Sequence, residues 1–210
     1  MTSRETRAIC EMAPIVPVLV IDDAAHARPL AEALVAGGLP ALEVTLRTPA
    51  ALEAIRIMAQ VPDGVVGAGT LVTPEDVRAA KAAGARFGVS PGATDRLLAA
   101  CEAEGLPLLP GAATASEAMR LLERGYDMLK FFPAEASGGA PALKAIGAPL
   151  PQIGFCPTGG VSPQNAESYL SLPNVVCAGG SWVAPKNMVA AGDWVGIEAL
   201  ARTAAALGRG

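Results

Sequence analysis

The sequence has little histidine and no pair of cysteines at metal-binding spacing. His26 is the single histidine, and the four cysteines, Cys10, Cys101, Cys156 and Cys177, form no Cys-x-x-Cys pair. Zinc sites and dithiol redox centres are built from such pairs and from several histidines. The sequence therefore predicts neither kind of centre. Scattered, unpaired thiols are typical of a reduced, cytoplasmic protein.

The chain also lacks an excess of positive charge and a long apolar run. It has 16 basic and 20 acidic residues and a net charge of −4, whereas nucleic-acid-binding domains carry a basic patch. No apolar run reaches the length of about 18 residues that a membrane-spanning helix needs. The N-terminal segment MTSRETRAICEMAP has no apolar core like that of a secretory signal. These absences argue against nucleic acid and membranes as partners.

Short β-rich segments alternate with segments of helical period along the sequence. In the helical segments, apolar residues recur every three or four positions. About eight such units occur, with β-rich segments at 15–20, 41–46, 65–69, 86–90, 106–111, 128–133, 152–160 and 174–180. This alternation predicts parallel βαβ units.

Eight such units predict the α/β fold in which the sheet closes into a (β/α)8, or TIM, barrel. The length of 210 residues is close to the lower limit of about 200 residues for that fold. No linker or charge block divides the chain, so residues 1–210 are predicted to form one domain. A doubly wound open sheet is the alternative. It is disfavoured because no glycine-rich dinucleotide fingerprint follows the first strand.

Polar side chains occur at the predicted carboxyl ends of the strands, where (β/α)8 barrels carry their chemistry. Glu43, Thr45 and Arg47 alternate in ALEVTLRT and therefore share one face of a strand. Lys130 interrupts the apolar run MLKFFP. The other strand ends supply Thr70, Phe132, Thr158, Gly159, Gly160, Gly179, Gly180 and Ser181.

Lys130 is the least expected of these residues, because a buried ammonium group is costly unless it is paired or loses its proton. A neutral lysine amine can attack a ketone and form a Schiff base. Glu43 is a candidate to move protons in that reaction, and Arg47 can hold a substrate carboxylate through two hydrogen bonds. The glycine pairs at 159–160 and 179–180 follow the last two strands, where such barrels often bind phosphate. Together these residues indicate imine chemistry on a phosphorylated 2-keto acid.

Each of these residues also has an interpretation without chemistry. Glu43 and Arg47 can form a structural ion pair inside the barrel. Lys130 can extend until its charged end reaches water, and Thr70 can cap a helix. The glycine pairs can be simple turns. The residues alone leave these alternatives open.

A set of linked motifs gives the sequence a resemblance to a known family. The motifs are ALVAGGLPALEVTLRT (33–48), VVGAGTL (65–71), GVSPG (88–92), LKFFPAE (129–135), FCPTGGVSP (155–163) and AGGSWVAP (178–185). Through them the chain resembles, over nearly its whole length, the 2-keto-3-deoxy-6-phosphogluconate (KDPG) aldolases of the Entner–Doudoroff pathway.

The resemblance implies a class I aldolase, with no metal or other cofactor, that cleaves 2-dehydro-3-deoxy-6-phosphogluconate to pyruvate and glyceraldehyde 3-phosphate. It implies Lys130 as the Schiff-base lysine and Glu43 as the general acid and base. It assigns Arg47 and Thr70 to the pyruvate carboxylate, and Phe132 to packing against the pyruvyl unit. Homotrimers are common in the family, so a homotrimer is expected. The phosphate is expected at Thr158, Gly159, Gly160, Gly180 and Ser181.

One segment departs from the family pattern, and several related functions remain open. VIDDAAHA (20–27) has fewer basic residues than the family pattern, which affects contacts to the outer hydroxyl groups of the substrate. Within the family, 4-hydroxy-2-oxoglutarate, which lacks a phosphate, and the galactonate-derived epimer are alternative substrates. A phosphosugar isomerase or epimerase, or a phosphate-binding module, is an alternative outside it. A metal-dependent pyruvate aldolase is disfavoured by the single histidine.

Overall fold

The strands curl into a barrel in the computed structural model, which describes residues 3–208. All of the paired strands run parallel. The strands are β1 Ile15–Leu19, β2 Ala41–Thr45, β3 Val65–Gly69, β4 Phe87–Val89, β5 Leu108–Leu109, β6 Gly111–Ala112, β7 Met128–Phe131, β8 Gly154–Pro157 and β9 Ala178–Gly180.

Two seams close the barrel. One sheet has the order β5-β4-β3-β2-β1-β9 and the other the order β6-β7-β8. At the first seam, Pro110 separates β5 from β6, because proline has no N–H group to donate to a neighbouring strand. The Pro110 carbonyl still accepts a hydrogen bond of 2.9 Å from the Lys130 N–H, which connects this strand to β7. At the second seam Thr158 pairs with Gly179. Segments β5 and β6 are thus two halves of one strand, and the predicted (β/α)8 barrel is confirmed.

Helices follow the strands and cover the outside of the barrel, as the alternating pattern predicts. Threonine side chains cap several of them, and Thr73 and Thr114 form capping boxes with the third residue of α4 and α6. The helices are α1 Ser3–Cys10, α2 Ala27–Ala36, α3 Ala51–Met58, α4 Pro74–Ala82, α5 Asp95–Glu104, α6 Ala115–Glu123, α7 Gly139–Gly147, α8 Ala166–Leu170, α9 Lys186–Ala191 and α10 Trp194–Ala205, with a 3-10 helix at Ala24–His26. Within residues 3–208, none of them has both the length and the apolar character needed to span a bilayer.

The apolar core has two layers because successive strand residues face opposite ways. Leu42 and Val44 belong to the layer between the strands and the helices. Ala41, Phe87 and Met128 belong to the smaller cluster enclosed by the strands. Glu43 alternates with Leu42 and Val44, and Lys130 follows Met128 by two residues, so both side chains point into the barrel. This places the predicted site above an apolar floor.

Helix α1 was not predicted from the sequence, and it covers the amino-terminal end of the barrel. The Thr6 hydroxyl donates a hydrogen bond of 3.2 Å to the Leu108 carbonyl. The Arg7 guanidinium donates one of 3.0 Å to the carbonyl of Asp127, whose N–H donates one of 2.7 Å to the Ser3 hydroxyl. The helix therefore lies at the end of the barrel opposite to the predicted site.

Candidate active site

Lys130 and Glu43 meet inside the barrel. The Lys130 Nζ atom lies 3.3 Å from Glu43 Oε1, and the two residues are 5% and 2% exposed. They project from β7 and β2, which are not neighbours in the sheet, so the pair spans the interior. At this distance the carboxylate can take a proton from the lysine. The alternative in which the charged end of Lys130 extends out of the barrel is wrong, because the side chain is buried and ends beside this carboxylate.

A glycine on the next strand makes room for the Glu43 carboxylate. A Cβ atom added to Gly69 would lie 2.3 Å from Glu43 Oε1, a separation that real Cβ atoms do not show. Gly69 ends β3, which pairs with β2. This residue was not predicted as part of the site, although it lies within the motif VVGAGTL.

Arg47 lies at the mouth of the barrel and contacts Thr70. The Arg47 Nε group donates a hydrogen bond of 3.4 Å to the Thr70 hydroxyl. The Glu43 carboxylate pairs with Lys130 and not with Arg47, so the alternative of a Glu43–Arg47 ion pair is wrong. Thr70 has a φ angle of +64°. That conformation is costly for a β-branched residue and concentrates at functional sites. The contact orients the guanidinium at the rim while Glu43 stays with the lysine.

The Phe132 ring lies between the lysine and the loop after β8. Its centroid is 5.1 Å from Lys130 Nζ, which is within the range of a cation–π contact. On the other side, a Cβ atom added to Gly159 would lie 3.3 Å from ring atoms of Phe132. The ring is therefore held beside the amine.

A cavity of about 490 Å³ opens above the lysine at the carboxyl ends of the strands. It brings together seven of the ten residues that the family resemblance assigns to the site: Arg47, Lys130, Phe132, Thr158, Gly159, Gly160 and Ser181. The other three residues of that assignment do not line it. Glu43 contacts Lys130, and Thr70 contacts Arg47; both of these partners line the cavity. The Trp182 ring packs against Gly180, and the neighbouring Gly179 lines the cavity in its place.

The loops after β8 and β9 present polar groups to this cavity. Gly160 has a φ angle of +81°. In the described part of the chain, the N–H groups of Gly160, Val161 and Ser181 donate no hydrogen bond to the protein. Lys186 also lines the cavity and lies 3.5 Å from Asp22. Lys186 was not predicted, because it lies in a helical segment beyond the strand end. These groups can bind an anion.

The Cys156 thiol is next to the lysine in the sheet, since Lys130 and Cys156 are paired in the register of β7 and β8. A hydrogen bond from Cys177 is the main cause that lowers the pKa of Cys156. Burial opposes it, and the Lys130 charge adds to the lowering. The pKa of Cys177 is raised well above its ordinary value by hydrogen bonds with Cys10 and Cys156 and by burial.

Within residues 3–208, no three of the histidine, cysteine, aspartate and glutamate side chains form a group that could hold a metal ion.

The fold and the site define a class of protein: a (β/α)8 barrel with a buried amine and carboxylate at the carboxyl ends of its strands. A family model described as KDPG and KHG aldolase matches residues 6–200. The 2-dehydro-3-deoxy-phosphogluconate aldolase of Pseudoalteromonas atlantica is 57% identical over 194 residues, which cover 92% of this chain and 90% of the relative. The chain belongs to the KDPG and KHG aldolase family.

Solved structures of aldolases agree closely with the fold. The KDPG aldolase of Zymomonas mobilis, solved with 3-phosphoglycerate, has a TM-score of 0.95 and 50% identity and covers 99% of this chain and 98% of its own. The KDPG aldolase of Legionella pneumophila has a TM-score of 0.92 and 48% identity and covers 95% of this chain and 98% of its own. The latter structure holds pyruvate captured as a covalent carbinolamine intermediate.

Proposed function

We propose that this protein is a class I aldolase that cleaves 2-dehydro-3-deoxy-6-phosphogluconate to pyruvate and glyceraldehyde 3-phosphate. The observation that carries the proposal is the buried contact of 3.3 Å between the Lys130 amine and the Glu43 carboxylate. Membership of the aldolase family supports it, as does the carbinolamine held by a relative of 48% identity. A phosphosugar isomerase or a binding module does not require a lysine at this position.

The first half of the reaction joins the substrate to Lys130. The neutral amine attacks C2 of the keto acid, after its extra proton has passed to Glu43. The resulting carbinolamine loses its hydroxyl group as water when Glu43 returns the proton. The product is a protonated imine, whose positive nitrogen can accept an electron pair from the neighbouring C3–C4 bond.

The second half breaks the carbon chain and frees the enzyme. Glu43 takes the proton of the C4 hydroxyl, directly or through one water molecule, and the C3–C4 electron pair moves towards the imine. Glyceraldehyde 3-phosphate leaves, and an enamine remains on Lys130. Protonation at C3 restores the imine, which water hydrolyses to pyruvate and free lysine. Every proton that is taken up is returned, so the cycle is balanced.

The other residues hold the two ends of the substrate. Arg47, oriented by Thr70, is suited to bind the pyruvate carboxylate by a bidentate contact. Phe132 packs against the pyruvyl group beside the amine. The phosphate is assigned to the loops after β8 and β9, since unpaired N–H groups and hydroxyl groups there favour an anion. This set comprises Thr158, Gly159, Gly160 and Ser181, which line the cavity, and Gly180, which adjoins it through Gly179.

Cleavage of 4-hydroxy-2-oxoglutarate is a second candidate activity of the same site. The family description includes KHG aldolases. The residues assigned to the pyruvyl half, Lys130, Glu43 and Arg47, lie on β7, β2 and the segment after β2, so they do not depend on the phosphate loops. A substrate without phosphate therefore retains the contacts needed for imine formation.

A coupled assay of pyruvate release tests the proposed function. Wild-type protein is expected to release one pyruvate per phosphorylated keto acid cleaved, and Lys130→Met is expected to release none. Glu43→Gln is expected to slow turnover by about 10²- to 10⁴-fold, since it removes a general acid and base. Lys144→Met, on the exposed surface of α7, is the control and should retain activity. Full activity of Lys130→Met would overturn the assignment.

The proposal extends to the assembly and location of the protein. We expect a homotrimer of cytoplasmic subunits, each a single domain formed by residues 1–210, as the family resemblance and the composition indicate. Light scattering would measure the mass of the particle in solution. A single cooperative unfolding transition is expected for one domain.

A further inference from the structure

Two loops at the mouth of the barrel are joined by their main chains. The Ala134 N–H donates a hydrogen bond of 2.8 Å to the Thr158 carbonyl, and the Glu135 N–H donates one of 3.0 Å to the Gly159 carbonyl. The first two residues follow Lys130 in the motif LKFFPAE, and the other two belong to the loop assigned to phosphate. The loop after β7 therefore runs alongside the loop after β8.

The Glu135 side chain adds a second connection between these loops. Its carboxylate accepts a hydrogen bond from the hydroxyl of Tyr169 on α8, and Tyr169 is fully buried. Burial raises the pKa of Tyr169, and the Glu135 carboxylate raises it further. The phenol therefore stays protonated and remains a donor at neutral pH.

The same side chain supports the glycine loop directly. A Cβ atom added to Gly160 would lie 2.6 Å from Glu135 Cγ and 2.7 Å from Glu135 Cβ, so the main chain of Gly160 rests against the stem of the glutamate. Gly139 lies beside this pair, since its added Cβ would make ordinary contacts of 3.4 Å with Glu135 Oε1 and 3.5 Å with the Tyr169 hydroxyl. Glu135 itself does not line the cavity, so it can shape the site only through the glycine loop that it supports.

A carboxylate beside an anion-binding loop is unfavourable in itself, because like charges repel. Its place here is explained if the side chain has a mechanical task. We infer that Glu135 and Tyr169 are positioning residues, which fix the Gly159–Gly160 loop in the shape that accepts the phosphate of the substrate. The inference rests on the proposed function and makes the pair a determinant of preference for phosphorylated substrates.

The test compares two substrates that differ in the phosphate. Values of kcat and KM are measured with 2-dehydro-3-deoxy-6-phosphogluconate and with 4-hydroxy-2-oxoglutarate for the wild type, Glu135→Ala, Glu135→Gln and Tyr169→Phe. Glu135→Ala and Tyr169→Phe are expected to raise KM for the phosphorylated substrate by about tenfold, the factor expected for one lost hydrogen bond to a charged group. Values of kcat/KM for the other substrate should change by less than about twofold. Glu135→Gln keeps the length of the side chain and an acceptor for the Tyr169 hydroxyl. Its KM for the phosphorylated substrate should therefore rise less than that of Glu135→Ala.

The control and a binding measurement separate this inference from the proposed function. Glu167→Gln changes an exposed glutamate on the same helix and should leave both substrates unaffected. Binding of inorganic phosphate, followed by calorimetry, should weaken in Glu135→Ala and Tyr169→Phe, and this measurement needs no turnover. Equal losses with both substrates, unchanged KM, or unchanged phosphate binding would overturn the inference. Failure of the wild type to cleave either substrate would overturn the proposed function, and phosphate binding would still decide the role of Glu135.

Discussion

At the scale of residues, the account depends on the space around one buried carboxylate. Glu43 reaches Lys130 only because β3 ends in a residue without a side chain. The contact is short and buried, so the amine and the acid can exchange a proton directly. Proton transfer between them is sensitive to small displacements.

Replacing Gly69 by alanine should therefore impair catalysis although no catalytic residue is replaced. The added methyl group overlaps Glu43 Oε1 at 2.3 Å, and the carboxylate must move away. A displacement of about 1 Å can cost about 100-fold in rate, so we expect kcat to fall by about 10- to 100-fold. Gly64→Ala is the matched control before the same strand, because its added Cβ has only ordinary contacts at 3.4 Å or more. Equal activity of the two variants would contradict this reading of Gly69.

The sequence allowed the reacting residues to be predicted better than their surroundings. Lys130 is recognisable because a charge interrupts an apolar strand, and Glu43 because it alternates with apolar residues. The structure confirms that both face the interior. Gly69 and Glu135 could not be assigned in the same way. Their roles depend on which side chain lies across the sheet or the loop, and no local pattern encodes that neighbour.

At the scale of elements, regular alternation was sufficient to predict the barrel but not its ends. Period-two and helical patterns mark the eight units because each strand and helix buries one face. Helix α1 has few apolar residues, and its buried positions are Ser3, Thr6 and Cys10. The hydrophobic pattern therefore gave no signal for it. The division of one strand at Pro110 was not predicted either. It depends on the hydrogen bonds between neighbouring strands that the proline interrupts, and these are defined only in the closed barrel.

Helix α1 should contribute to stability and not to catalysis. Thr6→Ala removes the hydroxyl that satisfies the buried Leu108 carbonyl, and an unsatisfied buried acceptor costs about 1–3 kcal/mol. We expect the free energy of unfolding in urea to fall by that amount. Because α1 lies at the opposite end of the barrel, kcat should stay unchanged. Glu5→Ala, on the exposed face of the same helix, is the control. A large loss of kcat in Thr6→Ala would show that α1 also influences the active site.

At the scale of the whole molecule, the buried Cys101 thiol makes stability depend on alkaline pH. Burial raises the pKa of Cys101 from 9.0 to about 12, and the neighbouring Glu102 carboxylate adds to the effect. In the unfolded chain the thiol ionises near its ordinary pKa, so between these values the folded state holds the extra proton. Stability therefore falls as pH rises through that range.

Urea unfolding of the wild type and of Cys101→Ala at pH 8 and pH 10 measures this effect. Between pH 8 and pH 10, the free energy of unfolding should fall by about 1 kcal/mol more in the wild type than in the variant. The reason is that only the wild type has a thiol at position 101, which ionises preferentially in the unfolded state. Alkaline groups that do not interact with position 101 contribute equally to both proteins and cancel in the difference. Parallel losses would mean that the thiol at position 101 ionises as readily in the folded protein as in the unfolded chain.

Chemical trapping shows directly whether the substrate forms a covalent bond with Lys130. Pyruvate and borohydride are added to the native protein, the protein is digested, and the peptides are analysed by mass spectrometry. We expect one reduced pyruvyl group per chain, on the peptide that contains Lys130, and none in Lys130→Met. A protein that remained unmodified, or that carried the group on another lysine, would show that Lys130 is not the Schiff-base residue.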